Sequence, residues 1–206
     1  MQNLIFASIK FIIKINKIMG LKLISEHLNG LKVFEPAVFG DERGWFLESF
    51  RSDEFDKLGL NVTFVQDNHS LSKKGTIRGM HFQWDLPQGK LIRVTRGCAY
   101  VVEVDIRKNS NSLGKWFGID LSEDNKKVLW VPPGFANGFL SKSEIVEMQY
   151  KCTNYWNKNG ESNIRWNDPE LNINWNENEP YISDKDKTAQ TLSEWLQKPE
   201  SENFKI

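Results

Sequence analysis

Short apolar runs separated by turn-forming residues dominate the chain from Lys22 onward. The runs include LKVFEPAVF, GWFLESF, VTFVQ, KLIRVTR, AYVVEVDI, KWFGIDL, KVLWVPP, GFL and EIVEMQYKC. Between them lie the polar or glycine-containing segments GDERG, SKKG, PQGK, RKNSNSLG, SEDNKK and PPGFANG. Runs this short, with turns this regular, predict an all-β fold built as an antiparallel sandwich or barrel.

Two segments carry a helical pattern instead. SDEFDKLG predicts one short helix, with Ser52 as its N-cap and Gly59 as its stop. DKTAQTLSEWLQK predicts a single C-terminal helix, because its apolar side chains recur at helical spacing. These apolar side chains are Ala189, Leu192, Trp195 and Leu196.

The first 18 residues, MQNLIFASIKFIIKINKI, differ from the rest of the chain. Lys10 and Lys14 interrupt their apolar run, which leaves it too short to span a bilayer. No basic segment precedes the run and no small-residue cleavage site follows it, so a signal peptide is not expected. Because Met19 comes next, we interpret residues 1–18 as a dispensable extension or a misassigned start, with a membrane-surface helix as the alternative. Residues 19–206 are then one domain.

Composition excludes some classes of partner. The 27 lysines and arginines balance the 27 aspartates and glutamates, so no basic surface for nucleic acid is expected. The two cysteines, Cys98 and Cys152, lack the spacing of metal ligands. We expect both to be reduced thiols in a cytoplasmic protein.

His81, in TIRGMHFQW, is one of only three histidines. It is either a strand histidine with a backbone partner or a general base, since imidazole titrates near neutral pH. The sequence has no nucleophile elbow, P-loop or dinucleotide fingerprint. A barrel metal site would need an H-x-H pair, whereas this strand reads HFQ and the other histidines, His27 and His69, lie elsewhere. We therefore expect no metal, and acid or base chemistry at His81.

Seven segments then appear in a specific order: FGDERGWFLESF, FVQDNHSLSKKGTIRGMHFQ, QGKLIRVTRG, LWVPPGFANGFL, YKCTNYW, IRWNDPEL and ISDKD. In these segments, from about Phe34 to about Leu196, the chain resembles the deoxythymidine-diphospho-4-dehydrorhamnose 3,5-epimerase family. The resemblance implies a jelly-roll (cupin) barrel, a double-stranded β-helix with a few short helices. It also implies cofactor-independent epimerisation of a nucleotide-diphospho-4-keto sugar, without nucleic acid or membrane as a partner.

The resemblance also implies the catalytic residues. A C4 ketone acidifies the hydrogens on C3 and C5, so epimerisation needs a base, a proton donor on the opposite face and stabilisation of the enolate oxygen. His81 matches the family's base, and Asp186 matches the carboxylate that orients the imidazole. Tyr150 matches the proton donor, and Lys90 matches the cation near the C4 oxygen.

Substrate-binding residues carry over in the same way. Arg78 resembles a diphosphate contact, because a guanidinium group suits phosphate oxygens. Gln66 and Asn68 resemble polar contacts to the nucleotide, and Tyr155 resembles a ring that stacks near the base or sugar. An N-terminal strand would lend three further residues to the neighbouring subunit's site, which implies a homodimer with strand exchange. These residues are Phe39, Arg43 and Glu48.

Two positions depart from the family's pattern. Asn137, in FANGF, replaces a histidine beside the sugar and cannot titrate near neutral pH. Val101 replaces an aspartate, which predicts a drier barrel interior. The departures favour a specialised relative and leave open a GDP-4-keto-heptose, as used in capsule synthesis, or a dTDP-4-keto-6-deoxyhexose. They also leave open inversion at C3, at C5 or at both carbons. The alternatives are a sugar-nucleotide 3,4-ketoisomerase and a non-catalytic sugar-binding cupin.

Overall fold

The computed structural model describes residues 20–204, most of which lie in or between β-strands. The strands are β1 (Leu21–His27), β2 (Leu31–Pro36), β3 (Val38–Asp41), β4 (Gly44–Leu47), β5 (Gln66–Lys73), β6 (Ile77–Gln83), β7 (Lys90–Arg96), β8 (Cys98–Asp105), β9 (Trp116–Ser122), β10 (Val128–Val131), β11 (Phe135–Ser141), β12 (Ile145–Cys152) and β13 (Glu161–Asn163). The interpretation of residues 1–18 as an extension lies outside the described residues.

Two antiparallel sheets form the barrel. The first has six strands in the order β1-β2-β10-β7-β12-β5, and the second has five in the order β13-β6-β11-β8-β9. Apart from β1-β2 and β8-β9, neighbouring strands in each sheet are not consecutive in sequence, as with β10 and β7, so the chain crosses repeatedly between the sheets. This arrangement confirms the predicted jelly roll. Strands β3 and β4 form a separate two-stranded hairpin.

The barrel interior is filled from both sheets. Ile92 and Met148 of the six-stranded sheet share one apolar cluster with Val101 and Phe139 of the five-stranded sheet. Side chains alternate between the two faces of a strand, so every second residue of these strands enters the same interior. The polar residues that continue this alternation therefore lie in the barrel as well.

The first predicted helix is present, with a different start. Helix α1 spans Ser52–Lys57, and its N-cap is Arg51, which makes no side-chain capping hydrogen bond. The prediction of Ser52 as the N-cap was therefore wrong. Gly59 does mark the stop, since its φ of +77° favours glycine and its N–H donates to the Asp56 carbonyl.

The predicted single C-terminal helix was wrong, because two short helices replace it. Helix α2 spans Asp184–Lys187 and α3 spans Leu192–Leu196. Gln190, between them, forms a β-bridge with Ile164, so the backbone there is extended. Thr191 then starts α3 through a reciprocal capping box with Glu194. No helix among residues 20–204 is long and apolar enough to cross a membrane.

Candidate active site

His81 and Asp186 form a hydrogen-bonded pair, although they are 105 residues apart in the sequence. The Nε2 atom of His81 lies 2.6 Å from Oδ1 of Asp186. The Asp186 side chain is only 2% exposed, whereas that of His81 is 30% exposed. The pair therefore has a buried acidic end and a ring that a small molecule can reach.

The surroundings of Asp186 keep its carboxyl group ionised. Ser183 caps α2 by accepting a hydrogen bond from the Asp186 backbone N–H, and Asn163 donates to Oδ1 of the same carboxylate at 3.2 Å. Burial raises the pKa of a carboxyl group, but here the hydrogen bond and charge of His81, with the other hydrogen bonds, outweigh burial. The pKa of Asp186 consequently lies below its ordinary value, and the carboxylate stabilises a protonated His81.

A β-bulge turns Arg78 and His81 toward the same interior. His81 pairs with Asn137, but Arg78 pairs with Phe139, so one extra residue of β6 faces β11. In a regular strand, two residues three positions apart would point to opposite faces of the sheet. The strands touch at this point, since a Cβ on Gly79 would lie 2.5 Å from the Cα of Gly138. The glycine in TIRGMHFQW thus permits the contact that places His81.

Lys90 and Tyr150 lie on the opposite sheet. The Lys90 Nζ atom is 5.9 Å from the centroid of the Tyr150 ring. Within residues 20–204, this ammonium group makes neither a hydrogen bond nor an ion pair, which leaves its charge available for an anion. Burial raises the pKa of Tyr150, while the charge of Arg78 lowers it less. The phenol therefore remains protonated at neutral pH and can donate.

The chain is similar in sequence to known proteins. The family model of dTDP-4-dehydrorhamnose 3,5-epimerase matches residues 25–194. The enzyme of that name from Escherichia coli K12 is 47% identical over 179 residues, which cover 85% of this chain and 97% of the relative. The one from Salmonella typhimurium is 49% identical over 167 residues, which cover 80% and 91%.

The fold is also similar to that of a solved structure. The crystal structure of a dTDP-6-deoxy-D-glucose-3,5-epimerase from Legionella pneumophila, in complex with dTDP-4-keto-L-rhamnose, is similar with a TM-score of 0.84. It is 42% identical, and the match covers 88% of this chain and 96% of that one. The chain belongs to the dTDP-4-dehydrorhamnose 3,5-epimerase family. It is therefore an isomerase, an epimerase of nucleotide-diphospho-4-keto sugars.

The polar residues expected to hold the nucleotide in this epimerase lie in or beside strand β5. Gln66 and Asn68 bond to each other through Nε2 and Oδ1 at 3.1 Å, and Asn68 also approaches the Cys152 sulfur. Arg78 donates from Nε to Ser72 Oγ at 2.9 Å and from Nη2 to the Leu71 carbonyl. Gln66 and Asn68 thus lie at the start of β5, the edge strand of the six-stranded sheet, and Arg78 bonds near its other end. Their contacts with a ligand remain a prediction.

The other expected binding residues lie farther out. Tyr155 follows β12 and is 67% exposed, so its ring is free to stack on a ligand. Phe39 and Arg43 belong to the β3–β4 hairpin, and Glu48 follows it. Among residues 20–204, Arg43 pairs only with Asp41 of the same hairpin, and none of these three residues shares a hydrogen bond with the His81 pair.

Sequence reasoning missed two polar residues of the epimerase's interior. Asn163 was missed because its contact with Asp186 depends on how β13 pairs with β6. Glu103 was missed although AYVVEVDI carries a signal, an acidic residue on the same strand face as Val101. Val101 lies in the apolar cluster as expected, but Glu103 places a carboxyl group two positions along. The predicted drier interior is therefore only partly correct.

Neither a metal-ligand cluster nor a disulfide is present among the described residues. Among residues 20–204, no three His, Cys, Asp or Glu side chains are grouped as metal ligands. Cys98 and Cys152 are both free thiols, one in each sheet.

Proposed function

We propose that this epimerase acts on a dTDP-linked 4-keto-6-deoxyhexose and inverts both C3 and C5. The observation that carries the proposal is the pair formed by His81 and the buried Asp186, with Lys90 and Tyr150 on the opposite sheet. The relatives described above, whose names state a dTDP sugar, support this nucleotide. A GDP-linked 4-keto-heptose is the second candidate, because Asn137 replaces the family's histidine beside the sugar.

Each side chain has one step in the proposed reaction. The Nε2 atom of His81 is bonded to Asp186, so Nδ1 is the ring nitrogen that accepts the proton from C3 or C5. The electron pair of the broken C–H bond moves to the C4 oxygen, and the Lys90 ammonium stabilises the resulting enolate. The Tyr150 phenol then donates its proton to the opposite face of the same carbon, which inverts the centre.

Proton exchange in deuterium oxide tests this function. The purified protein would be incubated separately with a dTDP-linked 4-keto-6-deoxyhexose and a GDP-linked 4-keto-heptose, and the C3 and C5 signals followed by NMR. We expect deuterium at both carbons of the dTDP sugar. Exchange at C3 alone would reduce the proposal to a single-centre enzyme, and exchange only in the heptose would replace the nucleotide.

The same experiment separates the alternatives. A 3,4-ketoisomerase would move the carbonyl group from C4 to C3, which shifts the ketone carbon resonance. A non-catalytic sugar-binding cupin would bind one of the sugars without any exchange. The His81–Asp186 pair lies opposite a protonated phenol, and this favours the epimerase over a binding protein, because simple binding needs neither a base nor an acid.

We also propose that the protein works as a homodimer with an exchanged N-terminal strand. Within residues 20–204, the β3–β4 hairpin pairs with no further strand. Its Trp45 and Phe46 side chains are 56% and 59% exposed, an unusual state for adjacent aromatic residues. A second copy of the chain would cover these rings and receive Phe39, Arg43 and Glu48 at its own site.

Sedimentation tests the dimer. We expect the wild type to sediment as a dimer and a Trp45→Ser, Phe46→Ser double variant as a monomer with reduced activity, because the variant loses the apolar contact. Tyr181→Ser is the matched control, since Tyr181 is 72% exposed and lies outside the hairpin. An active monomeric wild type would refute the shared site.

A cytoplasmic location completes the proposal. Two free cysteines support it, since thiols persist in reducing compartments. In cell fractionation we expect the protein in the cytoplasmic fraction, and recovery in another fraction would contradict the proposal.

A further inference from the structure

Glu103 is an acidic side chain inside the barrel that the proposed reaction does not use. Its neighbours on the same face of β8 are Ala99 and Val101, both in the interior apolar cluster. Glu103 itself is fully buried, a rare state for glutamate unless it is paired. Asp105, next on that face, has a close ion pair with Arg107, whereas no described cation lies within ion-pair distance of Glu103.

The strand register places Glu103 in one row with the proposed base. Asn137 pairs with His81 on one side and with Glu103 on the other. Side chains at paired positions of neighbouring strands share a face and lie about 5 Å apart. The row therefore runs from His81 through Asn137 to Glu103, and Asn137 separates the acid from the base.

A hydrogen bond fixes the middle of this row. The Nδ2 atom of Asn137 donates to Oε1 of Glu103 at 2.5 Å. An asparagine amide has its donors on one branch and its acceptor on the other, so Oδ1 is turned away from Glu103. Within the described part of the chain no group donates to that Oδ1, and Asn137 is half-buried.

We propose that Glu103 is a positioning residue, which holds the Asn137 amide so that Oδ1 accepts a hydrogen bond from a hydroxyl group of the sugar beside His81. The inference rests on the proposed epimerase function. It explains how the asparagine that replaces the family's histidine is held in one orientation. Without Glu103, the amide of Asn137 could turn either its oxygen or its nitrogen toward the substrate. The held amide then helps to decide which carbon of the sugar faces His81.

The surroundings of Glu103 favour its neutral form. Glu103 is faced by Asn137 from β11 and by the charge of Lys90 from β7, and His81 lies farther along the row. Its Oε2 atom is buried and has no partner among the described residues. Burial raises the pKa of Glu103 well above its ordinary value, against the lowering effects of Lys90 and Asn137. This shift favours the neutral form of Glu103, which adds no negative charge to oppose the enolate.

Deuterium exchange into the substrate, measured in the Glu103→Met variant, tests the inference. Methionine keeps the side-chain length but cannot accept the hydrogen bond. We expect the ratio of deuterium exchange at C3 to that at C5 to change by about fivefold or more, the size expected for one lost hydrogen bond. Glu103→Gln keeps the acceptor and should restore the ratio. Asn137→Ala should reproduce the change, and adding Glu103→Met to it should have no further effect.

Three results would overturn the inference. The first is a wild-type ratio of C3 to C5 exchange in Glu103→Met, and the second is a wild-type ratio in Asn137→Ala. The third is a ratio in the double variant that differs from the ratio in Asn137→Ala. Should Glu103→Met not yield folded protein, the ratio in Asn137→Ala decides alone.

A measurement without substrate separates this inference from the proposed function. The Asn137 side-chain amide, assigned in ¹⁵N NMR spectra by its absence in Asn137→Ala, should exchange with water more slowly in the wild type than in Glu103→Met. Equal exchange rates would overturn the positioning role even in an active enzyme. Slow amide exchange in a protein that labels neither sugar would instead refute the proposed function while keeping the held amide.

Discussion

Replacing His81 with asparagine is expected to lower deuterium incorporation at both C3 and C5 by about a thousandfold or more. The reason is that one base serves both carbons in the proposed reaction, and asparagine cannot accept the proton. Asparagine can still bond to Asp186, so the fold around α2 should persist. NMR exchange rates at each carbon, with the melting temperature as a check of folding, measure the effect.

His69→Asn is the matched control for this variant. His69 also lies on a strand and bonds to a carboxylate, Glu147, but its side chain is 52% exposed. Asn68 faces the barrel interior, where it contacts the buried Cys152. Successive strand residues alternate in direction, so His69 points away from the interior. Exchange in His81→Asn at more than a tenth of the wild-type rate at either carbon would assign that carbon to another base.

The fold could be predicted from the sequence because its signals are local. β-Branched and aromatic runs between glycine-rich turns are enough to indicate a two-sheet β-fold, and the ordered motifs indicate which one. The C-terminal segment shows the limit of such patterns. Its apolar spacing favours one helix, but the Thr191 capping box and the bridge at Gln190 divide it, and the bridge depends on distant Ile164.

The site divides in the same way. The resemblance in the motifs predicted that Asp186 orients His81. No local property of ISDKD points to a strand residue 105 positions away. The alternation in AYVVEVDI places Glu103 on the same face as Val101, but its position beside Asn137 could not be predicted, because it depends on the register of β8 against β11 and of β11 against β6. A bulge in β6 changes the register of β6 against β11, and a one-residue shift turns the side chains beyond it to the other face.

Replacing Tyr150 with phenylalanine is expected to separate exchange from inversion. The variant keeps the ring beside Lys90 but loses the only proton that the phenol can give. We expect epimer formation to fall by about a hundredfold or more, since a positioned acid contributes that much to a proton transfer. Deuterium should still enter the substrate with its configuration retained. Chiral analysis of the labelled sugar, beside its NMR exchange rate, measures both.

Retention is expected because His81 alone can both remove and return a proton. Its side chain is 30% exposed, so the proton it takes can exchange with solvent before deuterium goes back to the same face. Tyr100→Phe is the matched control, because burial also raises the pKa of Tyr100 but its side chain lies on the outer face of β8. Normal inversion in Tyr150→Phe would mean that another group protonates the second face. Loss of exchange together with inversion would instead assign Tyr150 to enolate stabilisation beside Lys90, since a donor that acts only after proton removal cannot prevent it.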